Sequence, residues 1–258
     1  MPAIDLYDIP GLRELQKFGN HLTSYIPPPP NNNNEQQNSL ERRRKILVVQ
    51  SHPVPNSFSS AIASAFVESA SEEGHEVKRI CLTDRYSSNL SRKERGRYFD
   101  SLQSPTEKER TIARDARDHL HLLQWCDTLV FVYPTWWMNV PGILKGWFDR
   151  TLLPPLAWDF PAIEDNKAEV KASSAAMLGL VPRLDNIERI VGISTYGATQ
   201  AQVTLAGDNG RRMISNAVRH SICPNASVSW LGLYGMDFVN EEGRRSFLDT
   251  VRGRPKDL

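Results

Sequence analysis

Two stretches of this sequence combine residue types that could hold a ligand. The first is Ser51-His52-Pro53-Val54-Pro55-Asn56-Ser57-Phe58-Ser59, between an apolar run and a helical pattern. A loop ending on a helix N-terminus offers free backbone N–H groups and the positive end of the macrodipole, which favour a phosphate. Ser57 and Ser59 add hydroxyl donors and His52 adds an N–H. The plain alternative is that Asn56 or Ser57 only caps the helix. The second stretch is Pro134-Thr135-Trp136-Trp137-Met138-Asn139-Val140-Pro141. Two tryptophans and a methionine after a buried run can stack a planar ring, or the backbone of Thr135–Trp137 can cradle it. The plain alternative is a pair of core or interface anchors.

Both loops need a frame to bring them together. Ile46–Val49 is a continuous apolar run, expected of a strand covered on both faces. Helical spacing follows over Ser57–Glu73, with Phe58, Ile62, Ala65, Phe66 and Ser69 on one side and Gly74 as the stop. Further strands are predicted at Glu76–Leu82, Thr128–Tyr133, Arg189–Thr195 and Ser227–Leu233. Ser104-Pro105-Thr106-Glu107 reads as a capping box for a helix reaching about Trp125. Helices are also predicted over Pro141–Leu152 and Arg211–Arg219, and from an Asn240 cap to about Arg252. Strand–helix alternation predicts a three-layer α/β sandwich around a five-stranded parallel sheet. With strand order 2-1-3-4-5, the switch point falls between the first and third strands, and both loops open into that crevice.

The bulk numbers narrow the field. The chain has 258 residues, of which 40% are hydrophobic, enough for a sizeable core. A net charge of +1 gives no global field for nucleic acid or an anionic membrane. No apolar run reaches the length of a membrane span. Cys81, Cys126 and Cys223 lack metal or redox-pair spacing, so each reads as a small buried apolar residue in a reducing, cytoplasmic setting. There is no Gly-x-Gly-x-x-Gly dinucleotide fingerprint, no phosphate loop ending in Gly-Lys-Ser/Thr, no Gly-x-Ser-x-Gly elbow and no histidine spacing for zinc.

Residues 1–44 form an extension to the domain that starts at Lys45. Pro27–Pro30 and Asn31–Asn34 continue into a polar run, a composition that cannot offset its ordering entropy and so reads as a flexible tether. Before it, Leu12, Leu15, Phe18 and Leu22 allow a short amphipathic helix within Met1–Ile26. The basic cluster Arg42–Lys45 reads as a solvated strand entrance.

The string Tyr133-Pro134-Thr135-Trp136-Trp137-Met138-Asn139-Val140-Pro141-Gly142-Ile143-Leu144-Lys145-Gly146-Trp147-Phe148-Asp149-Arg150 resembles the hallmark of a known family. The Ser51–Ser59 loop and Ser194-Thr195-Tyr196-Gly197-Ala198 match it as well. The family is the NAD(P)H:quinone oxidoreductases, or NAD(P)H dehydrogenases (quinone), of the flavodoxin-like fold, and the likeness is closer to its short bacterial members. It covers about Lys45 to Arg252, and the extension has no counterpart.

The resemblance implies a flavin. His52, Ser57, Phe58 and Ser59 would lie along its pyrophosphate and ribityl chain. Pro134, Thr135, Trp136 and Trp137 would wrap the isoalloxazine ring, and Thr195, Tyr196 and Gly197 would hold its pyrimidine edge. Trp137 and Met138 would line the substrate pocket, with Trp158 and Phe160 reaching it across a homodimer interface. The implied activity is ping-pong hydride transfer from NADH or NADPH to a quinone or similar acceptor. FAD is preferred over FMN, because the Ser51–Ser59 loop is longer than a short Ser/Thr-Gly phosphate cradle and carries two prolines.

Two departures matter. The tyrosine and histidine that flank the flavin in mammalian members fall near Gln200 and Ala206, and Trp158 and Phe160 lack the hydroxyls of the mammalian tyrosines. Catalytic side chains are therefore unassigned, with Tyr196 as a candidate hydrogen-bond partner for a reduced flavin. A second reading is an ancillary, regulatory subunit that keeps the fold and gates a partner such as an ion-efflux system. A single-electron carrier is the third, and the near-neutral charge does not favour its acidic surface.

Overall fold

The computed structural model describes residues 23–26, 43–82, 86–96, 112–160 and 179–258. In chain order the strands are β1 (Thr23–Ile26), β2 (Lys45–Gln50), β3 (Glu76–Cys81), β4 (Thr128–Thr135), β5 (Trp158–Asp159), β6 (Val181–Pro182), β7 (Arg189–Tyr196) and β8 (Ser227–Leu233). Six of them form one sheet in the order β3-β2-β4-β7-β8-β1. β3, β2, β4, β7 and β8 are parallel neighbours, which is the predicted order 2-1-3-4-5. β5 and β6 make a separate antiparallel ribbon.

The apolar runs alternate onto two cores, which is why they read as continuous. Ile46, Val48, Val130, Val132, Val191 and Ile193 pack with Ile62 and Phe66 of the Phe58–Glu72 helix and Phe247 and Val251 of the Glu241–Gly253 helix. Leu47, Val49, Leu129, Phe131 and Ile190 face the other way, onto Leu123 of Arg114–Trp125 and Leu144, Trp147 and Phe148 of Gly142–Thr151. The predicted end signals work as expected: Ser57 and Asn240 accept backbone N–H groups at their helix starts, and Gly74 turns the chain at φ +83°.

Several expectations are corrected. Thr23–Ile26 is not helical; it adds to β8 as an antiparallel edge strand, so part of the extension belongs to the sheet. The rest of the expected amphipathic helix, the low-complexity tether and the Ser104–Glu107 box lie outside the described residues. Arg44 is not a solvated entrance residue. It is 1% exposed, with Nη1 2.6 Å from Glu188 Oε2. Cys126 and Cys223 are buried, but Cys81 is exposed at the sheet's β3 edge. The helix predicted at Arg211–Arg219 is longer and broken: Asn209–Arg212, a π-helical stretch Met213–Val218, then Arg219–Ile222.

Candidate functional site

The C-terminal ends of β2, β4 and β7 meet at the predicted crevice. Beyond β2 the chain turns into the helix that starts at Phe58. Ser57 Oγ accepts the Ser60 N–H at 3.2 Å and lies 3.0 Å from Ser60 Oγ. Ser60 in turn takes the Gln50 Nε2–H at 2.7 Å, and Arg79 donates to Gln50 Oε1. This chain of bonds fixes the helix start from β3, two strands away from β4. Sequence reasoning named Ser59, which is buried; Ser60 carries the network instead.

His52 bends over the same turn. Its Nδ1 lies 3.0 Å from the Val54 N and 3.3 Å from the Val54 carbonyl oxygen, which pins the ring over the turn. The ring stands 6.0 Å from that of Trp136, so the two sequence loops meet here.

Beyond β4 the chain makes a two-residue hairpin. Trp136 and Asn139 exchange backbone N–H···O bonds, both 3.1 Å. Trp137 and Met138 occupy the turn at φ +51° and +56°. This is the left-handed pair of a type I′ turn, which Asn and Gly normally fill. Each non-glycine residue there costs about 1 kcal/mol. The strain presents Trp137 fully exposed at the rim.

Between hairpin and β7 lies a pocket of about 390 Å³. Thr135, Trp136, Trp137 and Met138 form one wall; Tyr196, Gly197, Ala198 and Val203 form the other. None of these lining residues is charged. Pro134 and Thr195 sit opposite one another in the β4–β7 register, one residue before Thr135 and Tyr196, and are not among the lining residues. Thr135 Oγ1 lies 2.9 Å from Ser194 Oγ, tying the two strands. Val203 escaped the sequence reading, although Thr199-x-x-Gln202 is a capping box for the Gln200–Leu205 helix that delivers it.

Tyr196 is 1% exposed, and its hydroxyl is engaged inside the protein. It accepts the Trp230 indole N–H at 3.1 Å and faces Asp208 Oδ1 at 3.4 Å. Burial pushes its pKa up. In this arrangement the hydroxyl turns to the interior rather than toward a ligand in the pocket. Two buried hydroxyls near the crevice, Ser51 Oγ and Tyr133 Oη, have no hydrogen-bond partner among the described residues.

Phe58 opens onto a second groove, of about 510 Å³, with Glu241, Arg244, Arg245, Leu248, Asp249 and Arg252. The short turn Met236–Phe238 separates the two cavities. Gly235 N–H donates to Ala198 O at 3.0 Å, Asp237 stands beside Gly197, and Met236 packs into the same core as Phe58 and Leu248. Trp158 and Phe160 do not join the pocket. Their rings meet edge-on at 5.3 Å, with the Trp158 N–H on Leu152 O and Phe160 half exposed. Among the described residues no His, Cys, Asp and Glu cluster could hold a metal, and no helix is long and apolar enough to cross a membrane.

Comparison with known proteins gives a consistent picture. Residues 44–213 match a family profile described as the flavodoxin-like fold. Human ribosyldihydronicotinamide dehydrogenase (quinone) is 30% identical over 133 residues, which are 47% of this chain and 56% of that protein. The chain thus spans about half the length of the first curated relatives it matches. With the mouse protein of the same name, 30% identity extends over 237 residues, 83% of this chain and 91% of that protein. Among solved structures, an NAD(P)H:quinone oxidoreductase from Methanothermobacter marburgensis superposes with a TM-score of 0.65 at 25% identity, covering 84% of this chain and all of that one.

Proposed function

Because this chain belongs to the flavodoxin-like fold family matched by residues 44–213, we propose that it is a flavin-dependent NAD(P)H oxidoreductase that reduces quinones or similar acceptors. One observation carries the reading: a helix start with outward donors and an uncharged aromatic pocket open side by side at the sheet's switch point. That donor set fits a flavin. The N–H groups of the first helical turn at Phe58 and Ser59, the Ser57 hydroxyl and the His52 ring suit its phosphate. The pocket between Trp136 and Tyr196 suits its ring.

Bound there, the flavin would supply ping-pong two-electron chemistry, taking hydride from NADH or NADPH and passing it to the acceptor. The chain's own residues orient and desolvate. Thr135–Trp137 and Thr195–Gly197 would fix the ring from two strands that are themselves hydrogen-bonded. Trp137 and Met138 would exclude water from the acceptor's side. Phe160, half exposed against Trp158, would approach the pocket of a second copy in a homodimer. Three free cysteines suit a reducing cytoplasm.

FAD is the preferred cofactor. The groove of Phe58, Arg244 and Arg245 adjoins the helix start and offers an aromatic face and cations to an adenosine diphosphate half. Mass spectrometry of the flavin released from purified protein separates FAD from FMN. Replacing Arg244 and Arg245 with alanine should weaken FAD and leave FMN unchanged. The main reading is tested by visible absorption and steady-state turnover with a quinone panel and both nicotinamides. A protein that stays colourless with added FAD and FMN sinks it.

A further inference from the structure

Behind the Tyr196 wall lies a buried polar cluster that the proposed reaction leaves unused. Trp230 Nε1 donates to Tyr196 Oη, and Tyr196 Oη donates to Asp208 Oδ1. Tyr234 stacks on the Tyr196 ring, with centroids 4.4 Å apart and planes within 16°. Tyr133 Oη is buried alongside without a partner.

Asp208 departs from what its position favours. It is the N-cap of the Asn209–Arg212 turn, where an aspartate normally accepts a backbone N–H. Its side chain makes no close capping bond, with only the Arg211 backbone N–H near enough to favour the carboxylate. Its backbone is left-handed, φ +44° and ψ +51°, just after Gly207 at φ +94°. Both features turn the carboxylate inward, toward Tyr196. The next turn touches the opposite wall: a Cβ on Gly210 would lie 3.1 Å from the Asn139 carbonyl carbon and 3.2 Å from Val140 N and Tyr133 Oη. One segment therefore braces both the Tyr196 wall and the hairpin that carries Trp137 and Met138.

We propose that Asp208 is a positioning residue: as a carboxylate it holds the Tyr196 hydroxyl, and through it the pocket wall, so that affinity for a planar ring depends on the charge of Asp208. This rests on the pocket being the ligand site described above, not on the identity of the acceptor. The groups facing Asp208 are Arg211 at 4.0 Å, Arg212, and the hydroxyls of Tyr196, Tyr133 and Tyr234. Burial raises the Asp208 pKa above its ordinary value, opposed chiefly by Arg211. Once neutral, the carboxyl is a weaker acceptor for Tyr196 and carries a proton of its own to donate.

The test uses lumiflavin, a bare flavin ring without phosphate, and measures its Kd by fluorescence quenching from about pH 4 to 8. A second readout needs no ligand: the Trp230 indole N–H resonance in nitrogen-15-labelled protein, assigned with a Tyr196→Phe variant. In the wild type the Kd should weaken about tenfold as pH falls, the equivalent of one charge-assisted hydrogen bond, and the resonance should titrate with the same midpoint. Asp208→Asn keeps an acceptor oxygen but no charge, so it should bind as weakly as the wild type at low pH, with a flat pH profile and a flat resonance. Asp208→Ala should bind about tenfold more weakly at every pH. Tyr196→Phe should lose the pH step.

An Asp208→Asn protein that titrates like the wild type, or an Asp208→Ala protein that binds as tightly, overturns the proposal. If Asp208→Ala does not fold, the Asp208→Asn and Tyr196→Phe profiles decide. Failure of the flavin reading looks different: no variant binds lumiflavin at any pH. Menadione then replaces lumiflavin as the planar probe, read by tryptophan quenching, and the same outcomes decide.

Discussion

Arg150 grips Asp115 through two parallel hydrogen bonds, Nη1 to Oδ2 at 2.7 Å and Nη2 to Oδ1 at 2.9 Å. Its Nε reaches Glu94, Nη1 also reaches the Ser87 carbonyl, and the guanidinium lies 4.9 Å from the Tyr86 ring. The last residue of the hallmark string is thus a clamp between helices and is not among the residues lining the pocket. Arg150→Met should lower unfolding free energy by about 3 kcal/mol in urea denaturation, the low end for a broken buried pair, because the orphaned carboxylates can still hydrate.

The same clamp sets an acid limb. Hydrogen bonds and charge from Arg150, with the Ser91 and Ala116 contacts, hold the Glu94 and Asp115 pKa values below the ordinary range despite burial. As pH falls, the unfolded chain takes up these protons first, so stability present above about pH 4 declines below it. Denaturation midpoints at several pH values should show that decline in the wild type and a shallower one in Arg150→Met.

Gly146 in the hallmark should resist alanine. A Cβ there would fall 1.8 Å from the Ser88 carbonyl oxygen. Gly to Ala inside a helix ordinarily stabilises by about 1 kcal/mol. Here the sign should reverse, with a loss of about 2 kcal/mol from overpacking. Gly142→Ala, which meets nothing within 4 Å, is the matched control and should leave the melting temperature level or higher.

Trp137 exchanges stability for a ligand wall. Asn suits the left-handed turn, and the indole is fully exposed, so Trp137→Asn should raise stability by about 1 kcal/mol. Flavin or quinone affinity should fall about tenfold, read by quenching or calorimetry. Unchanged affinity would remove Trp137 from the pocket.

Ser57→Ala removes the cap on Ser60 N and should cost about 1 kcal/mol of stability. Its signature lies in ligand choice: FMN and FAD should weaken while lumiflavin, lacking phosphate, should not.

The sheet was legible because its central strands, β2, β4 and β7, are buried on both faces, which leaves short, continuous apolar runs such as Ile46–Val49. The pocket was legible through Trp136 and Trp137, since large aromatics beyond a buried strand have few plain uses. What escaped depends on pairing across the fold. Nothing near Arg44 in sequence announces Glu188, 144 residues away. Asp208 drew no role from the sequence, because its partner Tyr196 lies 12 residues away. Thr23–Ile26 has strand-forming residues, but four of them lose against the helical spacing of Leu12 to Leu22, and only β8 decides between the two.

That short strand changes how the molecule meets others of its kind. A bare β8 edge would offer seven residues of backbone to any extended chain. Pairing from Thr23 to Ile26 closes most of it from within, opposite Val228 to Leu231. The far edge, β3, is guarded differently: Glu76, Lys78 and Arg79 are exposed along it and discourage a neighbour. Trimming the extension therefore risks aggregation at one end of the sheet, and a protein so shortened would report on its solubility before it reported on any partner.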